Sequence, residues 1–154
     1  MSASANDPGW AAAAVLVARL IFAALFIMAV SFKLLDIDTT AGQIAAAGFP
    51  ASPVLAWLAV VFELALIASF VTGLYFSPAA LLAAAYVVFL GVAFHGPARW
   101  QANQDEFGFF IDHFTFMAGL LYAAAHGPGR LLTVRRRAAA AARQGDFQPW
   151  TEKN

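Results

Sequence analysis

The sequence contains no cysteine and very little charge. The first absence removes disulfides, thiolate metal sites and any thiol–disulfide chemistry carried by the chain itself. The second is more informative. Only 12% of the 154 residues are charged and 62% are hydrophobic, against about 25% charged in an ordinary soluble domain. So little charge cannot wet a globule of this size, so lipid must cover most of the outside. The formal net charge is zero, which leaves no bulk field to attract nucleic acid. No Lys or Arg precedes the first apolar run, because the opening stretch reads MSASANDPGW. A cleavable signal peptide wants a basic n-region there, so the run is read as a retained span.

What the chain does have is four apolar runs, at about 11–32, 53–74, 78–95 and 109–126. A helix rises about 1.5 Å per residue and needs about 20 residues to cross the hydrocarbon core. The expected fold is therefore all-α, an integral membrane four-helix bundle. Pro53 and Pro78 stand at helix starts, where a missing N–H costs nothing. Gly96-Pro97 and Gly127-Pro128-Gly129 are stop signals. Residues 1–10 form an N-terminal segment, 11–126 the bundle and 127–154 a basic tail. Of nine basic residues, six follow His126: Arg130, Arg135, Arg136, Arg137, Arg143 and Lys153. The positive-inside rule then places both termini in the cytoplasm and the two longer loops outside, as in a multi-pass protein of a bacterial inner membrane. The stretch 34–52 is too polar to span but has an apolar side, and is expected to lie along the outer interface and cap the bundle. The stretch 131–143 reads as a short basic helix on the inner leaflet. The loop 99–106 reads as solvated, or else as a docking surface for a partner.

Ionisable groups inside hydrocarbon are expensive, so each one needs a reason. Measured from the outer boundary by helix rise, Lys33 lies at the rim and His95 about 5 Å in. Asp112 and His113 lie about 6–8 Å in, Glu63 about 16 Å and Arg19 about 21 Å. Together these form a polar column running from the rim to mid-membrane. Arg19 and Glu63 are expected to pair, either as a structural tether or with Glu63 as a proton carrier. Asp112 and His113 are neighbours on a helix and point about 100° apart, so both cannot face one small ligand squarely. Zinc or iron would want three or four convergent ligands; no His/carboxylate pair at i,i+4 exists here, and a metal site is not expected. Phe94, Phe107, Phe109, Phe110, Phe114 and Phe116 surround His95, Asp112 and His113 in sequence. That is the composition of an apolar slot with a few polar groups, suited to a quinone or a bound lipid, although aromatics also simply pack bundles.

Several short motifs occur in order. Arg19-Leu20, Leu25-Phe26 and Phe32-Lys33-Leu34 mark the first span. Ala47-Gly48-Phe49-Pro50 leads into Leu55-Ala56-Trp57-Leu58 and Phe62-Glu63-Leu64. Phe94-His95 closes the third span, and His126-Gly127-Pro128-Gly129-Arg130-Leu131 follows the fourth. In this arrangement the chain resembles the DoxX family of small four-span bacterial membrane proteins over about residues 18–132. The resemblance implies a membrane four-helix bundle and an association with quinone-linked redox, the name deriving from a subunit resembling thiosulfate:quinone oxidoreductase. Other relatives are associated with oxidative-stress complexes or accompany peptide-modifying enzymes. The residues matching the family pattern are Arg19, Lys33, Glu63 and His95. The fourth span departs from it, with Asp112-His113 where relatives often carry Lys or Asn.

Two functional classes follow. One is a redox-associated subunit whose ligand site uses Arg19, Lys33, Glu63, His95, Asp112 and His113, with Glu63 and His95 as the candidate catalytic, proton-handling groups. The other is a non-catalytic accessory subunit of a larger membrane complex. Its partners would be membrane lipids and either other membrane subunits or further copies of the chain, with no nucleic acid. No cofactor is fixed by the residues alone. Transport is disfavoured by the lack of inverted-repeat signals and broken helices.

Overall fold

The computed structural model describes residues 9–134. They form five α-helices and one short 3-10 turn, in the order α1 (Gly9–Leu35), α2 (Ile37–Ala46), α3 (Ser52–Thr72), α4 (Phe76–His95), the turn Pro97–Arg99, and α5 (Asp105–His126). Four of these, α1, α3, α4 and α5, are long and apolar enough to cross a membrane. The chain is an all-α, multi-pass membrane bundle. Large side chains such as Ile21, Met28, Phe32, Val61 and Leu82 stand exposed on its outside, where lipid replaces water as the solvent.

Each span turns one stripe inward. In α1 the buried residues are Ala12, Arg19, Ala23, Phe26 and Val30; in α3 they are Ala56, Val60, Glu63, Leu66, Ser69 and Phe70. Their spacings of three, four and seven describe one helical face. The bundle is built from two close pairs, α1 with α3 and α4 with α5, while α3 and α4 touch only sparingly. Small residues explain the intimacy of the second pair. Ala80, Ala83, Ala84 and Gly91 line the contact side of α4, and a Cβ on Gly91 would lie 2.8 Å from that of His113.

The turn Gly73-Leu74-Tyr75 draws α3 and α4 together at one end. Gly73 has φ +71°, and a Cβ there would lie 2.7 Å from Thr133 Cγ2, so only glycine fits. At this end the rings close ranks. Phe70 lies 5.5 Å from Phe76 and 5.9 Å from Phe26, and Phe22 lies 5.3 Å from Phe116. Towards the other end α3 and α4 diverge, and α2 with the loop after it fills part of the gap. Phe49 reaches across to Phe89 and Phe94 of α4, with ring centroids 5.6 and 6.4 Å away. The amphipathic stretch expected as a cap thus contains a helix of 10 residues, nearly three turns. Asp36 starts it, accepting the Thr39 backbone N–H at 2.9 Å and the Thr39 hydroxyl at 2.7 Å.

Two boundaries differ from the sequence reading. The last span begins at Asp105, four residues before the apolar run at 109, so much of the expected loop belongs to the helix. Its first turn carries Asp105 and Glu106, which suits the positive end of the helix dipole. The basic helix expected from 131 does not start there: residues 131–133 are not helical. The remainder of that stretch from 135, with Arg135, Arg136, Arg137 and Arg143, lies outside the described residues, as does Lys153.

Candidate functional site

The divergence of α3 and α4 leaves a cavity of about 820 Å³ under α2. This is within the ~300–1,000 Å³ usual for small-molecule sites. Its walls are apolar: Leu55, Leu58, Ala59 and Phe62 from α3, and Phe89, Leu90 and Phe94 from α4. The first four recur at helical spacing, so α3 presents them without distortion. Ile44 and Phe49 close the space from the α2 side. Leu58 and Phe89 line the cavity and are half exposed.

Two polar groups meet this apolar slot. The deeper one is centred on Glu63, whose side chain is only 1% exposed. Lys33 Nζ lies 2.9 Å from Oε1 and donates to Oε2 at 3.0 Å, and the Tyr86 hydroxyl donates to Oε1 at 2.8 Å. A buried carboxylate needs such compensation. Lys33 lies near the end of α1, and its stem folds back along the helix, where Nζ also approaches the Ala29 carbonyl at 3.4 Å. Lys33 and Tyr86 line the cavity; Glu63 stands behind them. The ammonium has three N–H donors, and of its three contacts the one to the Ala29 carbonyl is the longest and weakest.

The second group sits where α4 ends and α5 begins. His95 Nδ1 donates to Glu106 Oε2 at 2.7 Å, and the Trp100 indole N–H donates to the His95 backbone carbonyl at 2.8 Å. Trp100 is held in turn by edge contacts with Phe107 and Phe110. The loop expected to be solvated therefore folds back on the site. His113 packs beside His95, with ring centroids 5.1 Å apart, and its Nδ1 donates to the Phe109 carbonyl at 2.6 Å. With Nδ1 engaged in both rings, Nε2 is the ring nitrogen left without a hydrogen-bond partner among the described residues. His95, Glu106, His113 and Arg99 all line the cavity, together with Thr40 and Gln43 from α2.

The six residues singled out from sequence therefore separate. Lys33, His95 and His113 line the cavity, and Glu63 supports it from behind. Arg19 does not pair with Glu63. Its guanidinium is buried near the far ends of α3 and α5, donating to the carbonyls of Val71 at 3.0 Å, Pro128 at 2.8 Å, Leu131 at 3.2 Å and Leu132 at 2.9 Å. It tethers the chain after α5 to α1 and α3, and it lies away from the cavity. Asp112 is exposed on α5 and does not line the cavity either. The 100° offset from His113 puts the two on different faces. No group of three or more His, Cys, Asp or Glu that could hold a metal occurs among the described residues.

Sequence reasoning missed Tyr86 and Glu106. Tyr86 is the one hydroxyl in the apolar run after Pro78, a signal hidden because a tyrosine is also an ordinary packing residue. Glu106 lies seven residues before His113, hence on the same face once the helix is extended to include it.

The cavity, its two polar groups and the span that carries Arg19 can be set beside known proteins. The DoxX family model matches residues 14–96, more than half of the chain. The protein belongs to the DoxX family. Curated proteins and solved structures gave no match. The matched segment runs from α1 to the end of α4, so it contains Arg19, Lys33, Glu63, Tyr86 and His95. Glu106, Asp112 and His113 lie beyond it. In this DoxX chain the deeper polar group is drawn wholly from the family segment, and in the group at the α4–α5 end His95 comes from it while Trp100, Glu106 and His113 lie outside it.

Proposed function

We propose that the cavity binds a quinone, and that the protein serves as a membrane subunit in quinone-linked redox. The observation that carries this reading is the meeting of the Lys33 ammonium and two imidazoles with one apolar, aromatic slot. A quinone needs a flat apolar space for its ring, a route for its tail and donors for its carbonyl oxygens. Lys33 would donate to one carbonyl. The free Nε2 of His95 or His113 would serve the opposite side of the ring. Leu58 and Phe89 would flank the tail. When bound, a quinone supplies a reversible couple of two electrons and two protons.

The protein's own share is positional and protic. Glu63 neutralises Lys33 and fixes its direction, and Tyr86 holds Glu63. Glu106 orients His95 so that Nε2 exchanges the proton. Electrons would come from another protein, which is why the chain is best understood as a subunit. The positive-inside rule supports an orientation with the cavity near the outer leaflet.

The test uses purified protein in lipid nanodiscs titrated with a short-tailed quinone, read by quenching of tryptophan fluorescence. Trp100, bonded to His95, is the natural reporter. Saturable binding is expected, weakened about tenfold in the neutral double variant Lys33→Met/Glu63→Leu, the worth of one charge-assisted hydrogen bond. The double variant avoids stranding a lone charge in the interior. Unsaturable quenching, or equal affinity in a folded double variant, would overturn the reading.

A further inference from the structure

Among the four spans, α5 is the least apolar and also the one with least of its surface covered by the rest of the chain. A span facing lipid should be the most apolar, so the two properties conflict. Part of this polarity, Glu106 and His113, faces the cavity; the rest lies on an exposed stripe. Gly108, Asp112, Thr115 and Tyr122 follow one another at spacings of four, three and seven, which puts them on a single helical face. A Cβ on Gly108 would meet nothing within 4 Å. Asp112 and Thr115 are exposed, and Tyr122 is 68% exposed.

Asp112 is the residue that needs an explanation. It lies about 10 Å along the span from its start at Asp105. Among the described residues the one Lys or Arg paired with a carboxylate is Lys33, with Glu63, and neither that pair nor the His95–Glu106 hydrogen bond involves Asp112. The cations of the described bundle are otherwise engaged or misplaced. Arg19 is committed to four backbone carbonyls, Arg99 lines the cavity, and Arg130 follows the opposite end of α5. A carboxylate on a lipid-facing stripe is costly unless a partner meets it.

We infer that the outward face of α5 docks a transmembrane helix of a different membrane protein, one carrying Lys or Arg at the depth of Asp112. Gly108 and Thr115 flank Asp112 with small side chains, so a second backbone can come close enough for the pair to form. Charge decides against a second copy of this chain. A two-fold contact through this stripe sets Asp112 against Asp112, and among the described residues a copy offers no Lys or Arg at that depth. The inference stands on α5 alone and does not depend on what fills the cavity.

The experiment places the full chain in quinone-free vesicles with a synthetic polyleucine transmembrane helix bearing one Lys at the matching depth. Association is read by energy transfer between labels. The Lys helix is expected to associate about tenfold more tightly than an all-Leu control. Asp112→Asn should abolish that preference, and Gly108→Leu should do the same by blocking approach. Equal association of the two helices, or a preference surviving both variants, overturns the inference. The absence of native cysteine gives a second readout. Thr115→Cys introduces a unique thiol, and efficient oxidation to a disulfide-linked dimer would show that a second copy occupies the face, contradicting the proposal.

Discussion

Lys33 and Glu63 are thirty residues apart and on different spans, yet Nζ sits 2.9 Å from one carboxylate oxygen and 3.0 Å from the other. Lys33 remains 18% exposed through the cavity, while Glu63 is closed off. In the proposed site this asymmetry would divide their roles, with Glu63 as the fixed counter-charge and Lys33 as the group presented to a ligand. It also makes the two single variants unequal.

Lys33→Met strands Glu63 in the interior and should cost about 3–5 kcal/mol, the usual penalty for breaking a buried pair. Glu63→Gln should cost less, about 2–3 kcal/mol, because Lys33 can turn toward the cavity. Lys33→Met/Glu63→Leu should recover most of the loss. Denaturant unfolding in detergent checks the cycle, and simple additivity of the single variants would show that the pair is not coupled.

Arg19 leads to a prediction of a different kind. Its four carbonyl partners include three from residues 128–132, so its loss should free the chain after α5 rather than disturb the cavity. Arg19→Met is expected to expose that segment to limited proteolysis and to lower stability by about 2–4 kcal/mol. Quinone affinity should stay within about twofold. A large loss of affinity with no change in proteolysis would point back to a role at the site.

Asp36 gives a pH signature outside the spans. Hydrogen bonds from the Thr39 backbone and side chain hold its carboxyl below the usual value. The capping contribution is therefore fully present above the unfolded-state value, near 3.9, and is lost as pH falls through the lower folded-state value. Amide exchange in α2 should accelerate over that acidic window in the native protein. Asp36→Ala should show the faster exchange already at neutral pH.

Much of the fold was legible because spans announce themselves. The runs at 11–32, 53–74, 78–95 and 109–126 fall within a few residues of α1, α3, α4 and α5. The last start was misplaced because Asp105 and Glu106 look like loop by hydropathy, although acidic residues favour a helix N-terminus. The site was harder. Depth along a straight helix placed Arg19 near Glu63 and Lys33 at the rim, but a lysine stem spans about 6 Å and folds back toward its own N-terminus. Arg19 found backbone carbonyls, and carbonyls have no signature in a sequence. Which of Asp112 and His113 turns inward also depends on where α5 meets α4, set by Gly91 and its contact with His113.

The central claim is that Lys33 donates to a carbonyl of a quinone held between α3 and α4. Infrared difference spectroscopy of carbonyl-labelled quinone bound in nanodiscs tests it most directly. The account predicts one carbonyl stretch shifted to lower frequency in the native protein and returned toward the free position in Lys33→Met/Glu63→Leu. Identical carbonyl frequencies in the native protein and the folded double variant would contradict it.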